Sequence, residues 1–257
     1  MLRVECGHAT DVGRVRRHNE DALLAGGRVW AIADGMGGHA AGDVASALVI
    51  ETLRQLDAGP DEIRPADLVA AVHAAHAAIV GHGRAYPESR GLGSTVTGLA
   101  LVTVGGAEHW AVFNVGDSRV YRDAGTGLRR ATVDHSETEE LVIAGVITEA
   151  QARTHRARNV ITRSLGQPDV PQVDLWVLPR TAGERFVVCS DGLTGELDDA
   201  AVADVLLTHP DAQAAATALV EAAVRHAGRD NVSVIVVNVE GTPDAVDEGT
   251  NPRVRAQ

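Results

Sequence analysis

Aromatic residues are scarce in this 257-residue chain, at 3%, so its core is expected to be built from Ala, Val, Leu and Ile rather than from rings. Cysteine is as sparse. Cys6 and Cys189 are the only two, their spacing fits no metal-ligand pattern, and a chain this large is not expected to rest on a disulfide scaffold. No apolar run approaches the roughly 18 residues that suggest a membrane span, and residues 1–8 lack the apolar stretch of a signal peptide. Reduced thiols and these absences point to the cytoplasm. Positive charge is in deficit, with 23 Lys and Arg against 35 Asp and Glu and a formal net charge of −12. That balance argues against nucleic acid as a partner, where cations must neutralise phosphates, and against docking on an anionic membrane. A cation site, by contrast, needs carboxylates.

Hydrophobic residues make up 45% of the chain, ample for a sizeable core, and the length suits one domain. The run Val29-Trp30-Ala31-Ile32-Ala33, ending on Asp34-Gly35, predicts a buried strand meeting a turn. Val44, Leu48, Ile50, Leu53 and Leu56 predict a helix over 41–56. Pro65 opens a second helix, with Leu68, Val72, Ala75 and Ile79 at helical spacing. Residues 95–104 and 109–115 are β-branched and separated by Gly105-Gly106, which predicts a hairpin; another strand follows at 119–122. From 134 to 166 the pattern turns polar and mostly helical without a strong apolar face, as an excursion from the main body would. Strands are predicted again at 173–178 and 185–189, helices at 199–207 and 211–226, and a closing strand at 232–239. Residues 241–257 carry Pro243, Gly249 and Pro252 among charges and read as a flexible tail after a domain of residues 1–240. Strands come in runs rather than alternating singly with helices, favouring an α+β fold of mainly antiparallel sheets with helices outside.

Four segments share one grammar: Ala33-Asp34-Gly35, Gly116-Asp117-Ser118, Ser190-Asp191-Gly192 and Arg229-Asp230-Asn231. Three follow an apolar strand and the fourth precedes one. Each alone reads as a plain turn, since Asp accepts local backbone hydrogen bonds and Gly tolerates positive φ. Together, strand-end carboxylates gathered on one rim would repel each other unless a cation lay among them. Mg²⁺ and Mn²⁺ take hard oxygen ligands and retain waters, so a few carboxylates suffice per ion. His73 and His76 have no neighbouring acid and read as ordinary helix residues rather than zinc ligands.

The ordered set Thr10-Asp11-Val12-Gly13-Arg14-Val15-Arg16-Arg17-His18-Asn19-Glu20-Asp21, Ala33-Asp34-Gly35-Met36-Gly37-Gly38-His39, Gly91-Leu92-Gly93-Ser94-Thr95, Val115-Gly116-Asp117-Ser118-Arg119, Cys189-Ser190-Asp191-Gly192-Leu193 and Asp230-Asn231-Val232-Ser233-Val234 resembles the PPM family of metal-dependent protein phosphatases, the type 2C class. The match runs from about Thr10 to Val239. The resemblance implies a four-layer α-β-β-α sandwich of two stacked antiparallel sheets. It also implies two Mn²⁺ or Mg²⁺ ions, with a third held weakly. By motif position, Asp34 bridges both ions, Asp191 and Asp230 hold one, the Gly35 carbonyl reaches the other, and Glu20 acts there through water. Asp117, sharing with Asp191, matches the third site, and Asp21 supports the shell.

The implied reaction is hydrolysis of phosphoserine and phosphothreonine in proteins, by a metal-bridged hydroxide attacking phosphorus in line. The implied substrates are phosphoproteins, targets of Ser/Thr kinases or the kinases themselves, and the implied enzyme is monomeric. Arg16 matches the phosphate-clamping arginine; Arg14 and Arg17 read as surface charges. Animal and plant members place a histidine directly after the first Asp-Gly, where this chain has Met36. His39 follows the bacterial pattern and is the candidate proton donor, with a metal-bound water as the alternative.

Bacterial members carry a flap at about 134–166. Here residues 150–168 contain no Asp or Glu but hold Arg153, Arg156, Arg158 and Arg163. That bias suggests local positive charge for acidic phosphoproteins, or simply a solvated helix face. Two other functions stay open at this point: a phosphatase-like regulator without catalysis, and a phosphoesterase acting on small metabolites.

Overall fold

Two antiparallel sheets stack face to face, and the few aromatic residues concentrate between them. The computed structural model describes residues 2–37 and 41–241. The first sheet has the order β1 (Arg3–Asp11), β11 (Val232–Glu240), β10 (Arg185–Cys189), β7 (Arg119–Asp123), β8 (Leu128–Arg130). The second runs β2 (Asp21–Ala25), β3 (Val29–Met36), β5 (Val96–Val104), β6 (Ala107–Val115), β9 (Asp174–Pro179), with β4 (Gly93–Ser94) paired to β3. Helices α1 (Gly42–Asp57) and α2 (Pro65–Ala85) cover the second sheet. The short α5 (Asp191–Thr194), α6 (Asp199–Thr208) and α7 (Ala212–His226) cover the first. The four-layer α+β sandwich expected from the resemblance is what the chain forms.

Layering explains the sequence pattern. β5 and β11 read as almost unbroken apolar runs because one face meets helices and the other meets the opposite sheet. Pro65 sits in the first turn of α2, where a missing N–H costs nothing. Asp198 and Asp211 accept from the amides of Ala201 and Ala214, capping α6 and α7.

The core departs from the aliphatic expectation in its middle layer. Trp30, Trp110 and Phe186 bridge the sheets with ring centroids 5.8 Å and 5.3 Å apart. Sheets stacked roughly 10 Å apart leave a gap that wide side chains fill well. The two outer layers are built mainly from Ala, Val, Leu and Ile, as expected, with Phe113 and Tyr121 as their buried aromatics.

Several expectations need correction. β1 and β2 were not anticipated. β1 is an edge strand of alternating exposed and half-buried residues with Gly7 at its centre, so it lacks an apolar run. Gly7 is there because α7 presses on it: a β-carbon would lie 2.3 Å from the backbone of Ala212. Asp34 and Gly35 lie inside β3, with Gly35 opposite Ser94 of β4, rather than in a turn after it. The excursion at 134–166 is not mostly helical. It holds two short helices, α3 (Glu137–Ile143) and α4 (Glu149–Ala152), and otherwise turns. It is pinned at its neck by the bridges Ser136↔Ile161 and Ser94↔Leu165. Among the described residues, no helix is long and apolar enough to cross a membrane. The expected tail lies outside the described residues apart from Gly241, and so does His39.

Candidate metal centre

The acids converge at one end of the sandwich because five strands begin or end there. Asp34 lies opposite Asp21 across β2 and β3. Asp117 follows β6, Asp191 follows β10, and Asp230 precedes β11. Backbone packing sets the spacing. A β-carbon on Gly35 would lie 2.0 Å from the Gly42 carbonyl oxygen and 2.6 Å from that of Glu20; one on Gly192 would lie 1.9 Å from the Asn231 carbonyl oxygen. Any side chain at 35 or 192 would therefore push the acid-bearing strands apart.

A polar scaffold holds the acids from behind. The Asn231 side chain accepts from the Glu20 amide and donates to the carbonyls of Val12 and His18, clamping the loop that carries Arg16. Ser46 donates to the Glu20 carbonyl. The Asp34 amide donates to Thr95 Oγ1, which also contacts Ser118 Oγ at 2.9 Å. Ser190 Oγ donates to Asp21 Oδ2 and accepts from the Ser233 amide. Asn231, Thr95, Ser190 and Ser233 stand in the quoted motifs but had been given no role. The rule that buried polar groups need partners was the signal for them.

The electrostatics of the cluster are unfavourable without a counter-charge. The surrounding protein raises the Asp34 carboxyl well above the ordinary range, and Asp21, Asp191, Asp117 and Asp230 raise it further. Asp117 is raised likewise by burial, then by Asp191 and Asp134. Asp191 is raised by burial, then by Asp230. Burial, opposed by the Ser233 and Ser190 hydroxyls and reinforced by Asp191 and Asp230, pushes Asp21 up to about 7. Asp34 and Asp191 are densely surrounded yet keep some surface open to solvent, as groups at the floor of a cleft do.

These groups fit a hard divalent cation. Among the described residues, Asp21 Oδ1 and Asp117 Oδ1 are buried without a hydrogen-bond partner, and a cation would satisfy oxygens of this kind. Among the described residues, however, no three His, Cys, Asp or Glu side chains stand as a ready-made metal-binding group. The acids are gathered, and one of them is held by a cation: Arg16 Nη2 donates to Asp230 Oδ2 at 2.7 Å. An ion bound by Asp230 would compete with Arg16 for it.

The other sequence-picked residues divide. Arg16, half exposed, is at the cluster, and the Asp230 hydrogen bond, then Glu20 and Asp34, raise its pKa. His73 and His76 are structural, as expected: His76 Nδ1 accepts from the Gly166 amide, and His73 Nε2 contacts the Pro171 carbonyl. A cavity of about 310 Å³ lies between the flap and α5, beside Asp117 and Asp191, and Arg153 and Arg158 line it. Arg156 is not part of that lining, and Arg163 is tied to Asp174 and the Gln172 carbonyl. The four arginines therefore do not act as one patch.

A family model for protein phosphatase 2C matches residues 14–225. The chain belongs to the protein phosphatase 2C family. It is 38% identical over 233 residues to the serine/threonine protein phosphatase PstP of Mycobacterium tuberculosis, covering 90% of this chain; it spans 44% of that relative's length. It is 30% identical over 251 residues to the serine/threonine phosphatase stp of Listeria monocytogenes, covering 93% of this chain and 97% of the relative. The crystal structure of the PstP catalytic domain in complex with two manganese ions superposes with a TM-score of 0.84 at 36% identity, covering 94% of this chain and 100% of that one. Membership of the protein phosphatase 2C family accounts for the convergence of acids that turn chemistry alone does not.

Proposed function

We propose that this chain is a Mn²⁺- or Mg²⁺-dependent phosphatase that hydrolyses phosphoserine and phosphothreonine in proteins. The observation that carries this reading is the cluster of Asp34, Asp117 and Asp191, raised by burial and then by neighbouring carboxylates, with oxygens on Asp21 and Asp117 that lack a partner among the described residues. Asp34, Asp191 and Asp230 would hold a pair of ions with the Gly35 carbonyl, Glu20 would act through water, and Asp117 with Asp191 would hold a weaker third. When bound, the ions supply an acidified water and neutralise charge on the transferring oxygens.

The chain's own groups bind and orient the substrate. Arg16, on a loop fixed by Asn231, is free to leave Asp230 and offer paired donors to a phosphate. Ser46 and Thr95 fix the backbones of Glu20 and Asp34, which sets where their side chains start. His39 remains the proposed proton donor to the leaving serine or threonine. Arg153 and Arg158, beside the centre, would favour acidic sequences around the phosphate. The substrates would be targets of Ser/Thr kinases or the kinases themselves. The protein would act as a monomer in the cytoplasm, a placement that its two free thiols support.

The test combines binding and turnover. Calorimetric Mn²⁺ titration in buffers of different ionisation enthalpy is expected to show proton release, because carboxyls raised by burial must ionise to hold a metal. Mn²⁺-dependent phosphate release from phosphothreonine peptides should exceed that from nucleotides and vanish on chelation. Activity surviving both chelation and Asp191→Ala would overturn the reading. Replacing Arg153 and Arg158 with Gln should raise KM for an acidic phosphopeptide and leave a small aryl phosphate unchanged; equal effects would remove the subsite.

A further inference from the structure

Asp117 is held in a different way from the other acids: its turn hangs from the neck of the flap. The Gly116 peptide is clasped on both sides by side chains and by one backbone bond. Its N–H donates to His135 Nδ1 at 2.9 Å, and its carbonyl accepts from the His135 amide at 2.9 Å and from Asn114 Nδ2 at 3.0 Å. Gly116 has φ of +120°, and a β-carbon there would lie 2.6 Å from Thr95 Cβ, so it has no alternative seat against the sheet. The same His135 is the first rung of the flap neck. Its carbonyl accepts from the Thr162 amide at 2.8 Å, one rung before the Glu137 amide donates to Val160.

The ring completes the link. Its other nitrogen, Nε2, lies 3.1 Å from Asp174 Oδ2 and 2.8 Å from Arg163 Nη1. Arg163, on the returning strand of the neck, donates to Asp174 Oδ1 at 2.7 Å. Asp174 itself lies opposite Asn114 in the β6–β9 ladder. One buried imidazole thus joins the Asp117 turn, both strands of the neck and the end of the second sheet.

We propose that His135 is a positioning residue that couples the flap neck to the Asp117 turn, so that loosening the neck loosens Asp117. The consequence for activity rests on the metal-centre reading above; the coupling does not. By reciprocity, whatever fixes Asp117 also stiffens the neck.

Hydrogen exchange on the metal-free protein tests this without an ion. Arg163→Gln, at a half-buried position on the neck, is expected to speed exchange of the Gly116 amide by about tenfold. In a His135→Asn background the ring's reach to Asp174 is lost while an acceptor for Gly116 N–H is kept. There the same Arg163→Gln change is expected to have no further effect on Gly116. The proposal is overturned if Arg163→Gln leaves Gly116 exchange unaltered, or if its effect persists in full alongside His135→Asn. If His135→Asn does not fold, His135→Ser, which also ends the ring's contacts with Asp174 and Arg163, replaces it with the same expectation. Calorimetric Mn²⁺ binding to the wild type decides the metal reading separately.

Discussion

The molecule accommodates buried acids in two opposite ways. Behind the flap and between the sheets, acids are matched by arginine. Asp134, 7% exposed, accepts from Arg119 through Nε and Nη2, with Arg130 nearby. Glu184, 1% exposed, accepts from Arg122, the Trp110 indole and the Thr181 amide. At the strand ends, Asp21, Asp34, Asp117 and Asp191 face one another, and Arg16 reaches Asp230 alone. All 23 cationic side chains are arginine, whose forked donors suit the paired acids. The contrast separates acids held by a fixed guanidinium from acids whose nearest charged neighbours are other carboxyls.

The largest expected effect breaks the unpaired side. Asp191→Asn should lower Mn²⁺-dependent phosphopeptide turnover by about a thousandfold, several kcal/mol of charge stabilisation expressed as rate, measured as kcat/KM on protein shown to be folded. On the paired side, Glu184→Ala should cost about 3–5 kcal/mol in urea unfolding, because it strands Arg122 and the Trp110 indole. A smaller effect sharpens the contrast. Asp34→Asn should stabilise the metal-free protein by about 1 kcal/mol by removing one repelling carboxyl; a loss of stability there would show that the cluster also serves the fold.

The smallest concerns an arginine-paired acid near the surface. Burial raises the Glu196 carboxyl, but hydrogen bonds from Arg229 and His226 outweigh it and hold it at about 2. A depressed carboxylate contributes stability above its unfolded pKa and loses it as pH falls towards 2. Glu196→Gln should therefore cost about 1 kcal/mol at neutral pH, reduced from the full shift because both partner heads are exposed. Chemical unfolding of wild type and variant should converge between pH 4.5 and 2.

Much of the fold was legible where the pattern was strong. Val232 to Val239 read as a strongly apolar strand, and Pro65 marked the start of α2. β1 escaped because an edge strand carrying Gly7 and alternating polar residues offers no apolar run. The flap read as helical from polarity alone, while its turns depend on the neck contacts of His135 and Arg163 with residues distant in sequence. In the site, Asp34, Asp117, Asp191 and Asp230 could be named because their motifs recur in order. Their scaffold, Asn231 above all, was invisible: an Asn that clamps a loop more than 200 residues away looks locally like a turn residue.

The pairing of β11 between β1 and β10 also has a consequence for synthesis. A chain emerging from the ribosome has already released Glu20, Asp34, Asp117 and Asp191 while the strand that unites the first sheet is still unmade. β1 must wait some 220 residues for its partner, and Asp230 and Asn231 arrive just ahead of that strand. Translation products that stop before β11 therefore carry most of the acids without the strand that unites the first sheet.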